Sequence, residues 1–361
     1  GFPWLNIGSS QTDSVLASFA PIFGDYGVTF FVCVSSMAII MVIAGDTKQK
    51  FASIFLLMII ITSSIILTDI NWTNDLKKDI DIVLIQGAIS QKQKWKPEQR
   101  QKTYEIYSNL SKPFWSSDLI VWPETAIPSL YHLADDFIKP ISNKEISSNA
   151  FFMSGIAYED KESNNYFNSV LLINSKHHFY HKYHLVPFGE YLPFKSLLDE
   201  ILNFLKIPMS NFTSGNPEEK IFETDRGIFG MSICYEDAYG TEIRKALPNA
   251  NILINVSNDA WFGDSFAPHQ HLQIARMRAI ENGRYLLRST NTGISAVIDN
   301  KGNVVSRSPQ FKPHALSATV KLYDGETPFS KFGNSLILTF CILILILSFM
   351  FKEVFSVNIS K

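Results

Sequence analysis

The sequence predicts an α/β domain held between membrane-spanning helices. Three observations predict it. Three long stretches, 27–45, 51–68 and 332–351, carry no charged residue. Between the second and third, short β-branched apolar runs recur at strand length, each bounded by turn residues. Helical patterns lie between those runs, which implies a sheet covered by helices.

Each uncharged stretch is close to the ~20 residues that a helix needs to cross a hydrocarbon core. The run Ile59-Ile60-Ile61-Thr62-Ser63-Ser64-Ile65-Ile66-Leu67 is apolar on every side, whereas a helix on a domain surface keeps a polar face. The first two stretches are joined by residues 46–50, a turn that fits an antiparallel hairpin. Its Lys48 and Lys50 place it on the cytoplasmic side. Residues 1–26 and 69–331 are then extracytoplasmic. The third stretch returns the chain to a cytoplasmic tail, 352–361, which carries Lys352 and Lys361.

The bulk numbers agree with that division. At 361 residues the chain exceeds the ~100–200 of a single domain. Mean hydropathy is +0.06, high for a chain living wholly in water. A net charge of −2 offers nothing to attract nucleic acid. Residues 1–25 have neither a basic start nor an apolar centre, so no signal peptide is expected in that stretch. Cysteines are Cys33, Cys234 and Cys341, too few and too odd a set for a disulfide framework. Two lie in the apolar stretches. Cys234, in the polar part, is either a small buried hydrophobe or a nucleophile.

Predicted strands cover 82–85, 119–122, 151–157, 170–173, 228–233, 252–256 and 296–298. Pro97 opens a helix over 97–110, with Glu98 in its first turn. A longer helix over 268–282 ends at Gly283, a C-cap residue. Residues 159–165 are polar and read as a solvated loop. The chain shows no repeat at fixed period and no low-complexity tract.

Three places put a reactive side chain at the end of an apolar run. Pro123 cannot donate to a strand ladder, so Leu119-Ile120-Val121-Trp122 stops there and Glu124 projects beyond it. Cys234 falls where a strand gives way to a helix, and backbone N–H groups and the helix dipole there would favour a thiolate. Lys182 follows Tyr180-His181. Strand ends are where α/β sheets place their ligands. Taken singly, Glu124 reads equally as a surface carboxylate, Lys182 as a solvated lysine and Cys234 as core filler. Together they have a chemical logic. A cysteine needs a base, which Glu124 supplies. A tetrahedral oxyanion needs positive charge or N–H donors, which Lys182 and the Tyr235 amide supply. His177, His178, His181 and His184 are clustered as metal ligands can be. No carboxylate or cysteine completes a metal spacing beside them, so a polar hairpin facing water is the preferred reading.

These residues resemble a known family. Trp122-Pro123-Glu124, Lys182 and Cys234-Tyr235-Glu236 are similar to the Glu-Lys-Cys triad of the nitrilase superfamily. More narrowly, the chain resembles the bacterial apolipoprotein N-acyltransferases. The matching segments are 1–5, 121–128, 185–193, 233–237, 257–263 and 268–278, with Asn291-Thr292-Gly293-Ile294. They run over nearly the whole chain. Val186-Pro187-Phe188-Gly189-Glu190-Tyr191 together with flanking membrane helices is specific to that branch.

The resemblance implies a nitrilase-like α-β-β-α sandwich anchored in the bacterial inner membrane, with its catalytic domain on the periplasmic side. It implies transfer of a fatty acyl chain from a phospholipid to the N-terminal amine of a diacylglyceryl-cysteine apolipoprotein, with no cofactor. Carried over by residue, Glu124 is the base, Lys182 the oxyanion stabiliser and Cys234 the nucleophile. Trp95, Glu190, Tyr235 and Glu236 are the supporting residues. Trp95 reads otherwise as packing, and Glu190 as a carboxylate that orients Lys182. Trp261 and Phe262, in the loop 259–263, suit an interface and the entry of lipid, and suit core packing equally. Members of the family carry further transmembrane helices before the segment matching 1–5. Where they have Gly-Asn-Ile-Pro, this chain reads Gly87-Ala88-Ile89-Ser90, which alters a loop near the site. The alternative is a membrane-tethered amidase that uses the same triad with water to hydrolyse a small C–N bond. A non-enzymatic membrane scaffold is the third reading.

Overall fold

The computed structural model describes residues 3–148, 150–174, 176–192 and 211–356. Gly1, Phe2, Pro193 and residues 357–361, which enter the sequence reading above, lie outside the described residues.

Two sheets lie face to face. One holds seven strands: β1 (Asn74–Gln86), β2 (Leu119–Val121), β3 (Ile127–Leu130), β4 (Phe151–Asp160), β5 (Asn165–Ile173), β6 (His177–His181) and β13 (His314–Asp324), in the order β13-β1-β2-β4-β5-β6 with β3 beside β4. The other holds β7 (Ile221–Glu223), β8 (Ile228–Ile233), β9 (Ile252–Ser257), β10 (Leu286–Thr290), β11 (Ala296–Ile298) and β12 (Val304–Arg307), in reverse numerical order. Successive strand side chains point to opposite faces. In β1, Ile80, Ile82 and Leu84 therefore meet Phe229, Ile233 and Ile254 between the sheets. Val83 and Ile85 point the other way, against Tyr104, Tyr107 and Ile138. The latter come from the helices α4 (Pro97–Ser111) and α5 (Asp135–Ser148); the short α3 (Gln91–Lys94) precedes α4.

On the far side, α6 (Gly240–Ile243) and α7 (Ala267–Asn282) cover the second sheet, with Leu272, Ala275 and Ala279 packed on Leu253 and Leu286. The result is the four-layer α-β-β-α sandwich that the resemblance implied. α7 ends as the sequence predicted: Gly283 holds φ 59° and its N–H returns to Ala279 and Ile280. A Cβ there would also strike Thr73 at 2.7 Å.

The apolar helices are α1 (Ala20–Ala44), α2 (Thr47–Thr68) and α9 (Ser335–Ser356), the last preceded by the short α8 (Pro328–Phe332). The segments 15–44 and 47–68 are long and apolar enough to cross a membrane, and α9 contributes a shorter apolar stretch, Ser335–Met350. Their bounds differ from the uncharged stretches, each for a physical reason. α1 starts before residue 27 because Asp25 is absorbed inside the protein. Its carboxylate accepts from Ser9 Oγ at 2.6 Å, and its N–H donates to Glu281 at 2.7 Å. α2 starts at Thr47, so the turn 46–50 shrinks to Gly45-Asp46. Asp46 accepts from the Gln49 N–H, and Gln49 accepts in return from the Asp46 N–H, a reciprocal cap. Phe332 belongs to α8, which Gly333 ends at φ 59°. Ala17, Phe19, Val28 and Ile60 pack on Met277 and Ile280 of α7, which joins the N-terminal segment, α1 and α2 directly to the sandwich.

The loop expected over 159–165 is a hairpin instead. Glu159 and Asp160 pair with Tyr166 and Asn165, leaving a turn at 161–164. β3, β7, β10, β12 and β13 were not predicted as strands, and β6 was expected only as a strand end before Lys182. β13 lies at a sheet edge, and its alternating face carries Ser317, Thr319 and Lys321, which break up the apolar run.

Candidate active site

Glu124, Lys182 and Cys234 each follow a strand end, and all three line one cavity of about 1220 Å³. Glu124 stands beyond β2. The Trp122 N–H still pairs with Met153, and the Pro123 carbonyl accepts from Gly155, so the chain is held up to the turn. Thr125 then takes φ 47°, which swings the backbone out of the sheet. Gly155 is required here. A Cβ on it would lie 2.3 Å from the Thr125 nitrogen and 2.5 Å from the Glu124 Cα. Gly155→Ala therefore displaces Glu124, and misplacements of about 1 Å cost on the order of 10²-fold in rate. We expect that loss in acylation of Cys234, together with a lowered thermal midpoint because the clash is with backbone; equal acylation rates in the folded variant would refute the positioning.

Lys182 follows β6, with its N–H on the Asn168 carbonyl at 2.8 Å. It is 1% exposed. Its Nζ lies 2.9 Å from Glu190 Oε2 and 3.8 Å from Glu124 Oε1. Burial alone would push the ammonium down. Glu190, then Glu124 and Cys234, outweigh it and hold Lys182 above the ordinary lysine range. Glu190 is fixed in turn by the Val186 N–H at 2.8 Å. The Asn168 amide donates to Glu124 Oε1 and Glu190 Oε1, both at 2.7 Å, and so bridges the two carboxylates.

Cys234 closes β8 at φ 52°, in the left-handed region. Such a conformation costs roughly 1–3 kcal/mol and needs surrounding structure to hold it. Glu236 supplies part of that hold. It is wholly buried and accepts from the Ile233, Tyr183 and His184 N–H groups and from the Tyr180 hydroxyl. It thereby ties the end of β8 to the segment that carries Lys182, and it lies outside the cavity lining. The expected helix-dipole activation of Cys234 is corrected. The segment after it is a five-residue 3-10 turn, Cys234–Ala238, too short for a macrodipole. Burial, and then the Glu124 carboxylate, push the thiol up to about 12 against the pull of Lys182.

The cavity walls are mostly apolar and aromatic. Trp95, Tyr235 and Trp261 line it, and the last is 74% exposed at the rim. Phe188 also stands exposed, at φ 62°. Tyr235 stacks on Trp4, whose ring closes the cavity from the N-terminal segment. Of the clustered histidines, His177 hydrogen-bonds with Tyr131 and Ser142, and His181 with Ser169.

Two site residues escaped the sequence reading. Asn168 had a signal: it is a buried polar residue on the same face of β5 as Val170 and Leu172, which point between the sheets. Lys94 had none, since it stands among the polar residues Lys92, Gln93 and Lys96. Lys94 is 1% exposed and donates from Nζ to the Glu124 carbonyl at 3.0 Å. Burial brings it down to about 8, against the pull of Glu124 and Cys234. The Gly87-Ala88-Ile89-Ser90 loop is held by Asn291, which accepts from the Ile89 N–H and donates to its carbonyl. Ala88 sits there at φ 53°, which asparagine tolerates better than alanine.

A double-sheet sandwich with a carboxylate, a lysine and a cysteine at its strand ends defines the carbon-nitrogen hydrolase class, and that family's model matches residues 82–327. A second model, the apolipoprotein N-acyltransferase N-terminal domain, matches residues 1–38. The chain belongs to the apolipoprotein N-acyltransferase family. It is 39% identical to the apolipoprotein N-acyltransferase of Methylococcus capsulatus over 335 residues, covering 92% of this chain and 66% of that protein. The Nitrosomonas europaea protein of that name is 38% identical, covering 93% and 68%. The one from Coxiella burnetii is 35% identical, covering 97% and 72%. The chain thus spans about two thirds of the length of these relatives. Among solved structures, the Caenorhabditis elegans NitFhit protein aligns with a TM-score of 0.52 at 18% identity, over 68% of this chain and 61% of that one. Saccharomyces cerevisiae Nit3, a member of branch 10 of the nitrilase superfamily, aligns at 0.50 and 18%, over 68% and 90%. Both likenesses speak to the fold alone.

Proposed function

We propose that this chain transfers a fatty acyl group from a phospholipid to the N-terminal amine of an apolipoprotein, through a thioester on Cys234. The observation that carries the reading is the meeting of Glu124, Lys182 and Cys234 in a cavity of about 1220 Å³ with mostly apolar walls. Small-ligand sites commonly run ~300–1,000 Å³, so this one has room for an acyl chain. The relatives named for this activity support it. A small polar amide would find little to bind on such walls, which weighs against the amidase reading.

In the proposed reaction Glu124 takes the thiol proton as sulfur attacks the ester carbonyl. Lys182 and the Tyr235 N–H stabilise the oxyanion. Collapse expels the lysophospholipid oxygen, which takes the proton from Glu124, and leaves the thioester. The lipoprotein amine then attacks the thioester, Glu124 accepts its proton, and the thiol is regenerated. Asn168 and Glu190 keep Lys182 and Glu124 in register. Trp95, Tyr235 and the rim residue Trp261 receive the lipid, and Glu236 braces the nucleophile's strand end. α1, α2 and α9 cross the bacterial inner membrane in this reading, with the sandwich on the periplasmic side. Both substrates are held in the bilayer by their acyl chains, so in this reading the cavity opens at the bilayer surface.

Mass spectrometry after incubation with phospholipid tests the scheme. We expect an acyl adduct on Cys234 that the amine of a diacylglyceryl-cysteine peptide discharges. An unmodified Cys234, or an adduct that persists in Cys234→Ala, would sink it.

A further inference from the structure

We propose that His271 is a positioning residue for the oxyanion step: as an imidazolium held by Asp259, it pins and polarises the Cys234–Tyr235 peptide group. The inference rests on the thioester mechanism proposed above.

His271 lies on α7 behind the nucleophile and is wholly buried. One ring nitrogen, Nε2, is 3.2 Å from the Cys234 carbonyl oxygen. The other, Nδ1, is 2.9 Å from Asp259 Oδ1. A carbonyl oxygen and an ionised carboxylate can only accept hydrogen bonds. Both ring nitrogens must therefore donate, so the ring carries two protons. Asp259 is ionised because Arg288 Nη2 sits 3.0 Å from its Oδ2. Burial pushes Asp259 up, but Arg288 and His271 outweigh it and hold the group well below the usual carboxylate range. Asp237 also faces Arg288, at 3.6 Å, but burial pushes its carboxyl up, so Asp259 is the carboxylate that Arg288 and His271 share. The Trp4 ring, with its centroid 4.9 Å from that of His271, adds an aromatic neighbour of the kind that favours a cation.

The consequence lies on the other side of one peptide bond. A trans peptide is a rigid plane in which C=O and N–H point in opposite directions. Fixing the Cys234 oxygen fixes the direction of the Tyr235 N–H. Asn255 Nδ2 adds a second donor to that oxygen at 3.3 Å. Hydrogen bonds at a carbonyl oxygen draw electron density from the amide and strengthen its own N–H as a donor, by perhaps ~10–30% per bond. The strained φ at Cys234 makes such external fixing necessary. Since Nε2 is engaged by the carbonyl, His271 serves the main chain rather than acting as the base for the thiol.

The test compares two reactions of Cys234 in the full chain. Acylation by p-nitrophenyl butyrate or by phospholipid passes through an oxyanion. Alkylation by iodoacetamide does not, and reports thiolate content and access. In His271→Leu we expect the ratio of acylation to alkylation rates to fall about tenfold to a hundredfold, short of the ~10²–10³ for deleting an oxyanion donor outright. His271→Gln, which can still donate to the carbonyl, recovers part of the loss. Nitrogen-15 spectra of the wild-type chain at neutral pH should show both His271 ring nitrogens protonated. An unchanged ratio, both rates falling together, or a neutral His271 ring overturns the proposal. If His271→Leu does not fold, the glutamine variant and the spectrum decide. If the wild type takes the nitrophenyl ester but no phospholipid, the lipid reading fails while this inference is judged on the ester alone.

Discussion

Lys182→Met is expected to lower acylation of Cys234 by roughly 10²–10³, the cost of losing a main oxyanion stabiliser. It should also destabilise the domain, because the lysine is one member of a buried cluster. Its ammonium is 1% exposed and faces Glu190 and Glu124. Breaking a buried ion pair by removing one partner costs about 3–5 kcal/mol, since the other charge is left without compensation. Here two carboxylates bridged by Asn168 would be left together. The sign of the pH effect follows. In the wild type Lys182 is raised, so its stabilising contribution is fully present below the ordinary lysine value of about 10.4 and is lost only as pH rises through its higher folded value. The deficit of Lys182→Met against wild type should therefore be full in neutral solution and should shrink only in strong alkali, as the wild-type lysine loses its proton. Thermal midpoints across pH check this; a deficit that does not change with pH would contradict it.

Glu124→Gln should move two reactions of one sulfur in opposite directions. Loss of a general base costs about 10²–10⁴ in rate, so acylation collapses. The Glu124 carboxylate is also the second cause, after burial, that pushes the Cys234 thiol up to about 12. Removing it lowers the thiol's value and raises the thiolate fraction at any pH below that. Iodoacetamide should therefore alkylate the variant faster than the wild type at pH 8–10 while ester acylation falls. A stability signature accompanies it. A raised folded value contributes stability that is present below the unfolded thiol value and is lost as pH rises through the folded one. Lowering it should soften the loss of stability in alkali. Alkylation and acylation falling in parallel would mean that Glu124 maintains the site's shape rather than holding the proton. In Lys182→Met both reactions should slow, because Lys182 lowers the thiol; the pair of variants thus separates base from cation.

Much of this architecture is local and was legible. Strands β8 and β11 matched their apolar runs residue for residue, because both are buried on both faces and bounded by turns. The end of α7 was legible because only a residue without a side chain sits comfortably at Gly283. β13 was not, because an edge strand alternates polar with apolar and its stability comes from pairing with β1. The start of α1 was not, because Asp25 looked like a charge that ends an apolar helix. Asn6 and Ser9 before it, with Arg278 and Glu281 far along the chain, make it a buried one.

By itself the sequence marked three candidate side chains: a carboxylate after Pro123, a lysine after a strand end, and one cysteine in the polar part of the chain. These follow from residue type and from strand-stop signals within a few positions. Only the tertiary structure decided their states. Sequence cannot say that Lys94, in a run of polar residues, is buried under Glu124, or that Glu190 is nearer Lys182 than Glu124 is. Nor can it say that burial and the Glu124 carboxylate push the Cys234 thiol up where a helix end suggested a pull the other way. Proton affinities depend on burial and on distances between charges, and both are set by segments of different strands and loops that meet only when the sheets close.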